Sequence, residues 1–144
     1  MHFEYSVEGG NFSQAGLTSS QVKKTLKQLN VNGAVIKRTV VALYEAEVNI
    51  VAHAYGGTIL VDIDEEKIVI ELRDEGPGIE DIGKTMEIGY STATPEVREM
   101  GFGAGMGLSN MNNNSDLLEI TSEVGKGTCV KIINHFKDDN NGNK

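Results

Sequence analysis

The chain has 144 residues, 39% of them hydrophobic and 24% charged, with a formal net charge of −8. That length suits one globular domain, expected over 1–136, with a polar tail at 137–144 expected to be disordered. The acidic balance offers no basic stripe for nucleic acid, no apolar run is long enough for a membrane span, and "MHFEYSVEGG" is no signal peptide, so a cytoplasmic protein is expected.

In chain order, "HFEYSVEG" alternates apolar and polar residues and predicts a first strand. "LTSSQVKKTLKQLN" predicts a helix, with hydroxyl residues suited to its N-cap and Val22, Leu26 and Leu29 on one stripe. A long helix is expected from about Ala34 to Ala54, closed by Gly56-Gly57. "GTILVDIDEEKIVIELRD" reads as an antiparallel hairpin around Asp64-Glu65-Glu66, and "EGPGIED" as a turn leading into a short helical piece. Residues 87 to 107 lack apolar periodicity, and a loop of that length in a compact domain is functional or disordered. A helix starts near Met106, expected to be short because Asn112, Asn113 and Asn114 are poor helix formers. Two strands around Gly125-Lys126-Gly127 close the domain. Cys129, the only cysteine, lies in "GTCVKII" and is expected to be a buried packing thiol. The order predicts an α+β two-layer sandwich, with a mixed, mostly antiparallel sheet and helices on one face.

Three polar islands interrupt this pattern. Glu45, Asn49 and His53 are spaced i, i+4, i+8, which places them in one helical stripe about 80° wide among apolar neighbours. Glu47 lies about 200° round the helix from Glu45 and cannot share its site. Asp74 ends a strand and is followed by Gly76-Pro77-Gly78; it is either a simple turn former or an acceptor facing a flat ring that the glycines admit. "GFGAGMG" places glycines at 101, 103, 105 and 107. Bare amides at a helix start suit a phosphate, yet the P-loop and dinucleotide spacings both fail, and a flexible surface loop would read the same way.

In this order the three motifs strongly resemble the GHKL ATPase superfamily with its Bergerat fold, from about Ala34 to Ile133; "SEVGKGTCVKI" is similar to that family's last motif. The resemblance implies ATP and Mg²⁺ as cofactors, with Asn49 as a magnesium ligand and Glu45 as general base. It implies a nucleotide site formed by Asn49, His53, Asp74, Gly76, Gly78, Ile79 and Thr128. Asp74 would accept from the adenine amine, with Thr128 completing the contact. Gly101, Gly103, Ala104, Gly105, Met106, Gly107 and Leu108 would close over the phosphates. Lys84, Arg98 and Lys126 are candidate phosphate cations or ordinary surface charges.

The minimal length, "HAYGG" and "IGYSTATPE" resemble the stand-alone branch of anti-sigma factors and partner-switching serine/threonine kinases. His2 does not substitute for a phospho-accepting histidine. The resemblance therefore implies a protein serine/threonine kinase acting on an antagonist (anti-anti-sigma) protein, with a sigma factor and a second copy as further partners it allows. A sigma-sequestering module and a detached histidine-kinase ATPase domain are the alternatives. Neither nucleic acid nor membrane is an expected partner.

Overall fold

A computed structural model describes residues 1–53, 56–75, 107–123 and 127–136. In chain order these form β1 (His2–Glu8), a 3-10 turn (Phe12–Gln14), α1 (Leu17–Gln28), α2 (Gly33–His53), β2 (Gly56–Ile63), β3 (Lys67–Glu75), α3 (Gly107–Asn113), β4 (Leu117–Glu123) and β5 (Gly127–His135). Among the described residues the five expected strands and the helices at 17–28, 33–53 and 107–113 are present, and α3 is as short as its asparagines demand. The helical piece after Asp74, most of the 87–107 loop, Lys84, Arg98, Lys126 and the 137–144 tail lie outside the described residues.

The strands form one sheet in the order β1-β2-β3-β5-β4, and each ladder between neighbours is antiparallel. Register decides which side chains share a face. Phe3, Val61, Ile70, Ile132 and Leu118 form one cross-strand row, and Tyr5, Ile59, Leu72, Val130 and Ile120 form the next. These rows belong to one core with Leu26 of α1, Leu43, Ala46 and Ile50 of α2, and Met111 of α3. The fold is therefore an α+β sandwich with its helices against this face. Burying one such leucine or isoleucine is worth about 1.5–3 kcal/mol, which makes a register slip of one residue prohibitive.

Cys129 corrects the expectation of a buried thiol. It sits in register with Arg73 and Thr121 on the face opposite the helices, partly exposed. Partial burial, then the Glu71 carboxylate, push its pKa up against the opposing pull of Arg73, so the neutral thiol is favoured. His2 lies on the same outer face, held between Asp62 at 2.7 Å and Glu4 at 3.0 Å.

The start of α1 is also a correction. Its N-cap is Gly16 in a left-handed conformation (φ 92°), without a side-chain cap. Thr18 and Ser19 are buried inside the first turn instead, because the cap comes from another helix. Glu47 of α2, 2% exposed, accepts from Thr18 N at 3.0 Å, Ser19 N at 3.1 Å and Ser19 Oγ at 2.8 Å. A carboxylate at a helix start meets orphan amides and the positive end of the dipole. Glu47→Ala should lower unfolding free energy by about 2–3 kcal/mol, because the buried donors of α1 lose their acceptor. Urea titration of both proteins checks this; a change below about 0.5 kcal/mol would show that the cap is dispensable.

A second buried polar group sets the course of α2. Asn134 of β5 is 0% exposed; its Nδ2 donates to Thr39 Oγ1 at 3.1 Å and to the Asn114 carbonyl at 3.0 Å. Its Oδ1 accepts from Asp116 N at 2.7 Å. Asp116 in turn accepts from His135 N at 2.8 Å and from Arg38 at 3.1 Å; these bonds outweigh its partial burial and lower its pKa. Asn134 pairs with Ile68, at the end of the sheet where β3 begins. The first half of α2 is anchored there. Its last turn is tied to the other end, where Gly10 N after β1 donates to the Val51 carbonyl at 2.8 Å.

α1 gathers Lys23, Lys24 and Lys27 on its exposed side, a local feature that the net charge of the chain does not record.

Candidate functional site

Two residues along from the apolar rows, on the helix-covered face, the register sets Val7 beside Gly57 and Gly57 beside Asp74. Thr128 follows from β5, donating its N–H to Asp74 Oδ1 at 3.0 Å, and Ser122 pairs with Thr128. A carboxylate thus occupies the position that apolar side chains hold elsewhere on this face. Burial raises the pKa of Asp74, and the Thr128 amide opposes that shift only in part. A half-buried acid kept above its ordinary range is poised to meet a polar ligand.

Two glycines make this placement feasible. A Cβ on Gly57 would lie 2.6 Å from the Arg73 carbonyl and 3.2 Å from Asp74 Cα. Gly127 has φ 146°, and a Cβ there would overlap the Asp74 carbonyl oxygen. Both neighbouring strands therefore press bare backbone against Asp74. By sequence, Gly57 reads as part of a helix stop and Gly127 as part of a turn. The signal available was the place of Gly57 in register with Asp74 and the close approach of Gly127 to the Asp74 backbone, which only pairing reveals.

Glu45 and Asn49 lie on the second half of α2, which runs from the Asn134 end of the sheet toward the Val7–Asp74 end. Both are partly exposed, in contrast to Ala46, Val48 and Ile50 beside them. Asn110 of α3 donates to Glu45 Oε1 at 3.4 Å, while Asn114, just beyond α3, reaches the Asn134 end. So α3 runs antiparallel to α2, and its first residues, Gly107 and Leu108, point toward the Asn49 end. Asn110 was not among the expected site residues; the i, i+3 step from Gly107 across the helix was the only hint.

Of the expected site residues, the fold thus brings Asp74 and Thr128 together at one end of the sheet and directs Asn49 and the start of α3 toward that end, with Glu45 one helical turn before Asn49 beside Asn110. His53 closes α2, but its side chain and that of Leu108 lie outside the described residues. Gly76, Gly78, Ile79, Gly101, Gly103, Ala104, Gly105 and Met106 lie outside them as well. Among the described residues, no three His, Cys, Asp or Glu side chains gather as a metal-binding group, and no helix is long and apolar enough to cross a membrane.

The family described as "Histidine kinase-like ATPase domain" matches residues 12–134 of this chain. This chain belongs to the histidine kinase-like ATPase domain family, and membership implies an ATP-binding domain. Among its relatives, an anti-sigma F factor of Thermoanaerobacter sp. (strain X514) is 40% identical over 103 residues, covering 68% of each chain. An anti-sigma F factor of Clostridium acetobutylicum is 33% identical over 145 residues, covering 94% of this chain and 93% of the relative. The solved structure of the mycobacterial sensor histidine kinase MprB superposes with a TM-score of 0.55 at 16% identity, over 94% of this chain and 97% of that one. At that identity the likeness speaks for the fold.

Proposed function

We propose that this protein is a cytoplasmic regulatory kinase that transfers the γ-phosphoryl group of Mg-ATP to a serine or threonine of an antagonist protein. The observation that carries this reading is the course of α2, which leads from Glu45 to Asn49 toward the end of the sheet where Asp74 stands half-buried. The similarity to bacterial relatives named anti-sigma F factors supports a regulatory role.

Each residue has a distinct task. Asp74 accepts a hydrogen bond from the adenine amino group, and Thr128 N–H holds its other oxygen in place. Asn49 offers an amide oxygen to Mg²⁺, an ion that favours oxygen ligands and takes most of the others from phosphates and water. Bound Mg²⁺ supplies charge neutralisation at the phosphates. The loop at 101–107 would close over the phosphates, with Met106 and Gly107 supplying backbone amides. Glu45 accepts the proton of the attacking hydroxyl. As that oxygen bonds to the γ-phosphorus, the bond to the β–γ bridging oxygen breaks and ADP leaves with the electron pair.

Incubation with labelled Mg-ATP and candidate antagonist domains, followed by mapping of the labelled residue, tests the reading. Label on a serine or threonine is the expected result. Stable antagonist binding with Mg-ATP and no transfer would replace the kinase with a nucleotide-dependent module that sequesters a sigma factor. Label on a histidine would instead identify a histidine-kinase ATPase domain acting in trans.

A further inference from the structure

The chain's charge is unevenly distributed. Residues 9 to 44 contain five Lys and Arg and no acidic residue, whereas all 21 Asp and Glu lie outside, with the other eight Lys and Arg. α1 concentrates this asymmetry. At about 100° per residue, Leu17, Ser20, Lys23, Lys24, Lys27 and Gln28 fall on one arc of about 140°. Buried Thr18, Ser19, Val22 and Leu26 occupy the opposite side. Among the described residues, no carboxylate forms an ion pair with Lys23, Lys24 or Lys27. At the head of the arc Leu17 is 55% exposed, and Tyr44, whose ring lies against Gly16, is 39% exposed.

We propose that the outer face of α1 is a docking surface for an acidic protein partner, with Leu17 and Tyr44 as its apolar anchor and Lys23, Lys24 and Lys27 as its charged rim. Charge complementarity selects the occupant. An apolar anchor beside a charged rim has the anatomy of a protein interface, and unpaired like charges attract and orient an opposite surface. Duplex DNA presents an extended polyanion, and three lysines neutralise few phosphates while the rest of this chain repels it. An anionic membrane calls for four to eight clustered basic residues or a broad apolar helix face, and α1 has neither. The surface is also tied to the site. Glu47, which caps the first turn of α1, lies between Glu45 and Asn49 on α2. The inference does not depend on phosphoryl transfer.

The test titrates the isotope-labelled full chain, without nucleotide, with an acidic amphipathic peptide, Glu-rich with one leucine per helical turn. Amide shifts should concentrate on residues 17–28 and around Tyr44, and should vanish with the Gln-for-Glu peptide. Affinity should fall steeply between about 0.02 M and 0.2 M salt, as screening shortens the reach of the lysines. Lys23→Glu/Lys27→Glu should weaken binding at least about 10-fold at low salt. Lys67→Glu/Lys131→Glu, with the same net charge, should leave it within about 2-fold. A thermal melt of each variant confirms folding, and Lys23→Arg/Lys27→Arg should restore affinity. No binding by the wild type, shifts away from α1, or equal loss in the two charge-reversed variants would each overturn the proposal. So would tighter binding of phosphatidylserine-containing vesicles or duplex DNA than of the peptide. Because the assay contains no ATP, its failure leaves the kinase reading standing, and failure of phosphoryl transfer leaves the docking surface standing.

Discussion

Asp74→Asn should bind Mg-ATP about 100- to 1,000-fold more weakly than the wild type while melting at the same temperature or higher. The Thr128 amide donates to Asp74 Oδ1, and in the variant the asparagine carbonyl takes that bond. Its NH₂ group then stands where the second carboxylate oxygen was, presenting a donor to the adenine amine, itself a donor. The lost charge-assisted bond and the new donor–donor clash act together. Stability moves the other way, because burial holds the folded-state pKa of Asp74 above its unfolded value. The charged side chain therefore opposes folding, and protonation relieves that cost as pH falls through the raised pKa. Asparagine is neutral at every pH. Its stability advantage should be present above the raised pKa and fade toward the ordinary carboxylate range. Calorimetric titration with Mg-ATP, paired with melts across that window, measures both arms. Wild-type affinity in the variant would remove Asp74 from the adenine contact.

Glu45→Gln should phosphorylate its partner about 100- to 10,000-fold more slowly than the wild type, with Mg-ATP affinity nearly unchanged. Glutamine keeps the shape and can still accept from Asn110 Nδ2, so the contact between α2 and α3 survives. What it cannot do is take the hydroxyl proton. Phosphoryl transfer draws most of its acceleration from positioning and charge neutralisation, so binding and catalysis should separate cleanly. Single-turnover transfer at saturating ATP checks this. A rate within about 3-fold of the wild type would mean that Glu45 is not the base.

The sequence by itself determined most of the strands and helices and marked Glu45, Asn49 and Asp74 as polar residues in apolar surroundings, because both follow from local patterns. Alternation predicted the first strand, apolar runs around two turns predicted the other four, and period 3.6 set Glu45 and Asn49 on one helical stripe. It also excluded Glu47 from that stripe, correctly, since Glu47 turns away to cap α1. It could not say what Glu47 meets, because Thr18 and Ser19 come within reach only when α1 packs on α2. Cys129 was misplaced for a related reason: a short apolar run does not reveal which parity faces the helices. Gly57 and Gly127 acquire their meaning from strand register, which brings bare backbone against Asp74 from both sides. The lysines of α1 vanish in a net charge of −8, since a sum over the chain discards position. Tertiary structure alone decided these points: pairing and packing join residues far apart in the chain, and no local period records that distance.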